Sequence, residues 1–241
     1  KNQGGAMDKG EQRVANFSDS LIFFFVPGVI LSLVVYLGYL FVEEIGFSNW
    51  ELVSALLLSG VFFMTGFLHI DGAGDVADAF FSSSDKTKIL EILKDSRMGT
   101  FGVAIVVFDI LIKWVCWSSL LEQGAIYVII MSLVMGRSIQ GVCLSILPNA
   151  RGESIAGAFV SSSGIYTGVL FLVFFIEAAV FSYFIPGTEV YIMGLSGIAV
   201  SVVTALYFIY KIGGITGDCI GAINEVFEAG VLISGVVMLQ Y

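Results

Sequence analysis

The sequence predicts an all-α fold: a polytopic integral membrane protein of about seven transmembrane helices in one bundle, with its N-terminus in the cytoplasm. Three observations lead there. The 241 residues are 57% hydrophobic and 13% charged, with a mean hydropathy of +0.95, where a soluble domain is about 45–50% apolar. Apolar runs of about twenty residues recur, the length that crosses about 30 Å of hydrocarbon. Between those runs, lysine and arginine fall in every second connection, and this alternation orients a bundle more surely than net charge does.

Residues 1–16 are a polar N-terminal segment carrying Lys1, Lys9 and Arg13. The first run, about 21–42, is too long for a cleavable signal, and no small-residue cleavage site follows it. The second, about 50–69, leads into the largest extramembrane piece, a cytoplasmic active-site loop over 70–99. There "SSSDKTKILEILKDSRMG" predicts a serine-rich turn, a short helix and a glycine stop. Ile89, Leu90, Ile92 and Leu93 would form one apolar face lying on the membrane or on the bundle. The remaining runs are about 100–121, 125–147, 165–185, 190–210 and 219–239. None alternates apolar and polar residues as barrel strands do, and bare backbone polar groups are excluded from lipid, so each run is read as a helix.

Lys86, Lys88, Lys94 and Arg97 lie between the second and third runs, Arg151 follows the fourth and Lys211 the sixth. The connections over 43–49, 122–124 and 186–189 carry no lysine or arginine. The chain over 1–241 therefore reads as a single multi-pass transmembrane domain in the cytoplasmic (inner) membrane, its polar stretches facing the cytoplasm. Cys116, Cys143 and Cys219 stand singly in or beside apolar runs, with no C-x-x-C spacing, and read as buried packing residues. With a net charge of −9, no nucleic-acid partner is expected; the bilayer is one partner, and the oligomeric state is not legible.

Charge gathers at "HIDGAGDVADAF", residues 69–80. On a helix, the four- and three-residue spacings of Asp71, Asp75 and Asp78 put three carboxylates on one face. Like charges there call for a cation between them, and Mg2+, a hard ion that keeps its waters and shares phosphate oxygens, suits two or three carboxylates. Zinc is less suited, because the chain has one histidine, His69. Gly72, Ala73, Gly74, Ala77 and Ala79 leave room for a bulky ligand. A second acidic group, Asp218, Asn224, Glu225 and Glu228, sits in "GGITGDCIGAINEVFEAG", where the glycines could offer backbone N–H groups to an anion. Asp218 and Glu225 are candidates for the other half of the metal or phosphate site. Lys94, Arg97 and Arg151 could clamp phosphate oxygens. Asp109 and Lys113, four apart, could form a structural pair. Metal-binding carboxylates and phosphate-binding cations at a membrane surface point to phosphoryl transfer on a large or membrane-associated substrate.

Four motifs in order, "TGFLHIDGAGDVADAFFS", "ILEILKDSRMGTFG", "NARGES" and "GGITGDCIGAINEVFEA", closely resemble the cobalamin synthase family, the adenosylcobinamide-GDP ribazoletransferases, from about Phe17 to the C-terminus. The resemblance implies a magnesium-dependent phosphotransferase that joins adenosylcobinamide-GDP to α-ribazole or its 5′-phosphate, giving adenosylcobalamin or its phosphate and GMP, the last steps of cobalamin biosynthesis. On that reading Asp71, Asp75, Asp78, Asp218 and Glu225 hold magnesium, and Asp75 and Asp78 join His69, a general base or an orienting group, as catalytic residues. Lys94, Arg97 and Arg151 bind the diphosphate. A CDP-alcohol phosphotransferase-like lipid enzyme also clusters aspartates at a membrane surface, but it needs an Ala-Arg pair soon after Asp-Gly, and Asp71-Gly72 is followed by Ala73-Gly74-Asp75. An ion-coupled transporter would spread its polar groups through the membrane and show paired repeats, and no internal repeat is evident.

Overall fold

The computed structural model describes residues 20–95, 97–151, 164–185 and 187–239. The polar segment 1–16 and residues 152–154 of the "NARGES" motif lie outside them. After a single 3-10 turn at Leu21–Phe23, the chain forms α1 (Phe25–Glu44), α2 (Trp50–Met64), α3 (Leu68–Ser82) and the short α4 (Lys86–Ile92). It continues through α5 (Thr100–Glu122), α6 (Ile126–Ile146), α7 (Gly164–Phe184), α8 (Glu189–Ile212) and α9 (Gly217–Leu239). Among the described residues six helices are long and apolar enough to cross a membrane, or seven where the bent α2–α3 pair is counted as one span. An all-helical, polytopic membrane fold is thus what the chain builds.

Burial separates core from lipid-facing elements. α6 is enclosed, with Ile129, Met131, Leu133 and Met135 at or below 1% exposure. It packs against α1, α7 and α9, and Phe227, Val231 and Leu232 of α9 are fully buried. The outer helices turn large apolar residues outward, among them Phe41, Leu56, Phe175 and Val203, the surface expected of a protein whose solvent is hydrocarbon. Side-chain bonds tie α2 to α5: the hydroxyls of Ser54 and Ser118 lie 2.7 Å apart, and Trp114 Nε1 donates to the Glu51 carbonyl at 2.8 Å.

The sequence placed one run over about 50–69; the helix stops at Met64 instead. Thr65 turns its hydroxyl back onto the Val61 carbonyl at 3.0 Å, and Gly66 (φ +59°) and Phe67 (φ +60°) both adopt the left-handed conformation. Two consecutive residues of that hand cannot continue a right-handed helix. A Cβ at Gly66 would meet nothing within 4 Å, so glycine is needed there for its φ and not for space. The Phe67 ring, stacked on Phe62 at 5.9 Å and edge-on to Phe63 at 5.3 Å, holds the turn. The resulting elbow bends the chain by 85° between α2 and α3.

Beyond the elbow, α3 lies across one end of the bundle, against the starts of α5 and α9 and the end of α8. Phe80 packs on Tyr207 and Phe208 at the end of α8. At the α9 crossing, a Cβ on Gly72 would come within 2.9 Å of the Asp218 carbonyl oxygen, and one on Gly221 within 3.0 Å of the His69 carbonyl oxygen. The two backbones touch because neither carries a side chain there. α4 follows as a cap: Asp85 Oδ1 accepts from the Lys88 N–H at 2.9 Å, and Ile89 and Leu93 are buried on the bundle, as the pattern of the 70–99 loop predicts.

The seam yields a prediction. Gly72→Leu should overpack the α3–α9 crossing and destabilise the protein by about 1–3 kcal/mol, lowering its thermal unfolding temperature in detergent. Gly60→Leu on α2, where an added Cβ meets nothing within 4 Å, should leave that temperature unchanged.

Candidate functional site

The three aspartates of α3 share a face, as the spacing predicts, but they do not share an environment. Asp71 is exposed, Asp75 half-buried and Asp78 buried. Asp78 accepts a 2.6 Å hydrogen bond from the Gly99 N–H at the start of α5, where free N–H groups and the helix dipole favour a carboxylate. Added Cβ atoms at Gly99 and Gly102 would collide with this carboxylate, so those glycines let it reach the helix end. Asp75 sits among like charges: Asp71, Asp78 and Asp218 all repel it.

Asp218 reaches α3 through a backbone clasp. The Ile215 N–H donates to the Pro148 carbonyl at 2.8 Å and the Ala150 N–H to the Ile215 carbonyl at 3.0 Å, which ties the segment after α6 to the segment before α9. Two stretches far apart in sequence, Asn149–Arg151 of one motif and "GGITGDC" of another, are thereby brought together. The clasp sets Arg151 Nη2 4.0 Å from Asp218 Oδ2, and Nε and Nη2 of Arg151 have no hydrogen-bond partner. The Thr216 hydroxyl bonds Asp218 Oδ2 at 3.3 Å.

Asp218 and Arg151 also stand on the wall of a cavity of about 1090 Å³. Its polar wall adds His69, Arg137, Gln140 and Thr216; its other walls are apolar, with Phe24, Leu31, Leu144 and Ile220. Phe23, Ile30, Met64 and Leu68, all well exposed on the outer surface, form the rim between α1 and the elbow. Asp71, Asp75 and Asp78 are not on this wall, so Asp218 is the carboxylate common to the cavity and the acidic row.

Deeper in the bundle, Lys113 and Arg137 are each paired with carboxylates. Lys113 pairs with Asp109 at 3.4 Å, with Glu228 at 2.8 Å and with Glu225. Arg137 Nη1 donates to Asn224 Oδ1 at 3.0 Å and to Glu228, and Asn224 Nδ2 donates to Glu225 and Glu228 at 3.0 and 2.8 Å. The expected Asp109–Lys113 pair is one edge of this cluster joining α5, α6 and α9. Glu225 is brought to Lys113 and not to the aspartates of α3. Glu177 accepts from Ser138 at 2.6 Å. His69 lies between the cavity and this cluster, its Nδ1 buried without a partner.

Lys94 and Arg97 are exposed on the connection from α4 to α5, away from the cavity. Arg97 holds Asp95 through its Nε and Nη2, the latter at 2.6 Å, and that guanidinium keeps the Asp95 carboxyl down at about 2. Gln140, Thr216 and the cavity role of Arg137 were not singled out by the sequence analysis. The i, i+3 spacing of Arg137 and Gln140 inside an apolar run was the available signal.

Among the described residues, no three His, Cys, Asp or Glu side chains converge as a ready cage for a metal. Asp71, Asp75 and Asp218 nevertheless offer the hard oxygen donors that suit Mg2+, an ion that binds through one or two carboxylates and completes its shell with water and phosphate.

The matched cluster gives a prediction. Lys113→Met leaves Asp109, Glu225 and Glu228 facing one another with Arg137 alone, and should destabilise the protein by about 3–5 kcal/mol, seen as lost yield or a lower unfolding temperature in detergent. Lys113→Met combined with Glu225→Gln should recover part of the loss.

The sequence model of the cobalamin-5-phosphate synthase family matches residues 7–237. Among curated proteins, an adenosylcobinamide-GDP ribazoletransferase of Thermoanaerobacter sp. (strain X514) is 32% identical over 213 residues, 88% of this chain and 83% of its own length. One of Clostridium botulinum (strain 657 / Type Ba4) is 36% identical over 217 residues, 87% of this chain and 84% of its own. A third, of Chlorobium chlorochromatii (strain CaD3), is 35% identical over 230 residues, 93% of this chain and 88% of its own. No solved structure matches.

Proposed function

The chain belongs to the cobalamin-5-phosphate synthase family, and on that premise we propose that it joins adenosylcobinamide-GDP to α-ribazole or its 5′-phosphate and releases GMP. The observation that carries this reading is the place of Asp218 and Arg151, where an apolar cavity meets the carboxylate row of α3. In the reaction a ribose hydroxyl of the acceptor attacks the corrinoid-linked phosphorus of the pyrophosphate. One O–P bond forms, the bond to the GMP oxygen breaks, and the hydroxyl proton must be taken up.

The chain's own groups suit these tasks. Arg151, with two nitrogens lacking partners, donates hydrogen bonds to the diphosphate oxygens. His69 lines the cavity, and its imidazole is the group placed to take up the hydroxyl proton. Asp71, Asp75 and Asp218 would hold Mg2+, with Asp78 anchoring the row to α5. Bound there, the ion would neutralise charge on the phosphate undergoing transfer. Lys94 and Arg97, on the exposed connection, would draw the anionic donor toward this end of the bundle. Lys86, Lys88, Lys94, Arg97, Arg151 and Lys211 all lie at the end crossed by α3, while the described parts of the opposite connections carry no lysine or arginine. That asymmetry supports a site facing the cytoplasm from the inner membrane.

The test is GMP release by the purified protein in liposomes from adenosylcobinamide-GDP and α-ribazole. Product should form with Mg2+ and fall to background when the ion is chelated. Asp75→Asn and Asp218→Asn, checked for folding, should each lower kcat/KM by about a hundredfold or more, the scale of losing one transition-state charge contact. Full activity in both variants would defeat the assignment of these carboxylates.

A further inference from the structure

The floor of the cavity is α6, where Arg137 and Gln140 lie one turn apart on the same face. Arg137 is committed: its Nη1 serves Asn224 and Glu228, and the cluster behind it sets Asp109, Glu225 and Glu228 against Lys113 and Arg137. Three carboxylates against two cations leave no positive charge for an anion. Gln140 is in the opposite state. It is 4% exposed, yet its Nε2 has no hydrogen-bond partner. Buried polar groups are nearly always paired, and an unpaired donor carries a desolvation penalty. The wall around it is largely apolar, with Phe24, Leu31 and Leu144, and a turn of the amide would present its N–H edge to the cavity.

A ligand suited to that corner is apolar, uncharged, and carries a single hydrogen-bond acceptor. The corrinoid, fringed with amides, needs many polar partners, and a phosphate needs net positive charge. The base of α-ribazole is a dimethylated benzimidazole, an apolar plate with one unprotonated ring nitrogen. We propose that Gln140 determines acceptor specificity, its amide N–H donating to that ring nitrogen while the apolar part of the base packs against Phe24, Leu31 and Leu144. This assignment rests on the transfer reaction proposed above.

The experiment compares α-ribazole with the corresponding dimethylindole riboside, in which a C–H replaces the ring nitrogen, at saturating adenosylcobinamide-GDP. The wild type should prefer α-ribazole by about tenfold or more in kcat/KM, because the indole leaves the donor unpaired. In Gln140→Met the preference should shrink to within about twofold, through a raised KM for α-ribazole. Gln140→Leu, which also lacks a donor, gives a second reading and should lose the same preference. A wild type that does not discriminate, or variants that keep the full preference, would overturn the role of Gln140 while leaving the reaction standing. A wild type that releases no GMP with α-ribazole would overturn the reaction, and this inference with it.

Discussion

The backbone-to-backbone crossing of α3 and α9 is the contact on which the rest of the site depends. With no side chain at Gly72 or Gly221, the Asp218 backbone comes against α3 and the His69 backbone against α9. One crossing therefore sets the acidic row of α3, the start of α9 and the histidine in a fixed relation. The elbow makes the crossing possible. Were α2 to continue straight past Met64, the carboxylates of α3 would extend away from the bundle and could not meet Asp218.

The charges of this chain fall into two physical classes. Inside the bundle every cation faces carboxylates, and Asn224 binds two of them; a matched arrangement of this kind is what lets ionised groups persist where desolvation is costly. At the end of the bundle Asp71, Asp75 and Asp218 are nearly unmatched, with Arg151 the nearest cation at 4.0 Å from Asp218. Water near that end screens the repulsion, so the fold tolerates an imbalance there that it could not tolerate around Lys113. An imbalance of one sign is also what would hold a cation, and Arg151 beside it what would hold an anion, on the function proposed above. Thus the matched class carries stability, and the proposed chemistry draws on the unmatched class.

The fold was largely legible in the sequence because the bilayer leaves few choices: runs of the right length must be helices, and the cationic connections alternate. The second run was misjudged by several residues because hydropathy passes smoothly through "FMTGFLHI", while the break is made by the handedness of Gly66 and Phe67. The acidic face of α3 was legible from its spacing. That Asp78 serves the end of α5 was not, since its partner is a backbone N–H twenty-one residues away. Glu225 looked like Asp218 in sequence, two turns along one helix, but two turns is enough to carry it from the water-facing end to Lys113. Gln140 was overlooked because its spacing from Arg137 says only that the two share a helix face; its meaning lies in the missing partner, which only packing reveals.

The joint between the acidic row and the cavity bears on how one site could serve two substrates of unlike polarity. A nucleotide-activated corrinoid brings a charged diphosphate that favours the cations and carboxylates of the wet end, whereas the acceptor's base favours apolar walls. Asp218, the carboxylate common to both surfaces, marks where the hydroxyl and the phosphorus would meet. Fixing both partners there converts an encounter into an intramolecular step, the largest contribution that positioning alone makes to a rate. The apolar walls serve a second purpose. A pyrophosphate activated for attack by a hydroxyl is equally open to attack by water, and an acceptor base filling the cavity would displace water from the side on which attack occurs. Transfer would then prevail over hydrolysis because the acceptor itself completes the wall of the site.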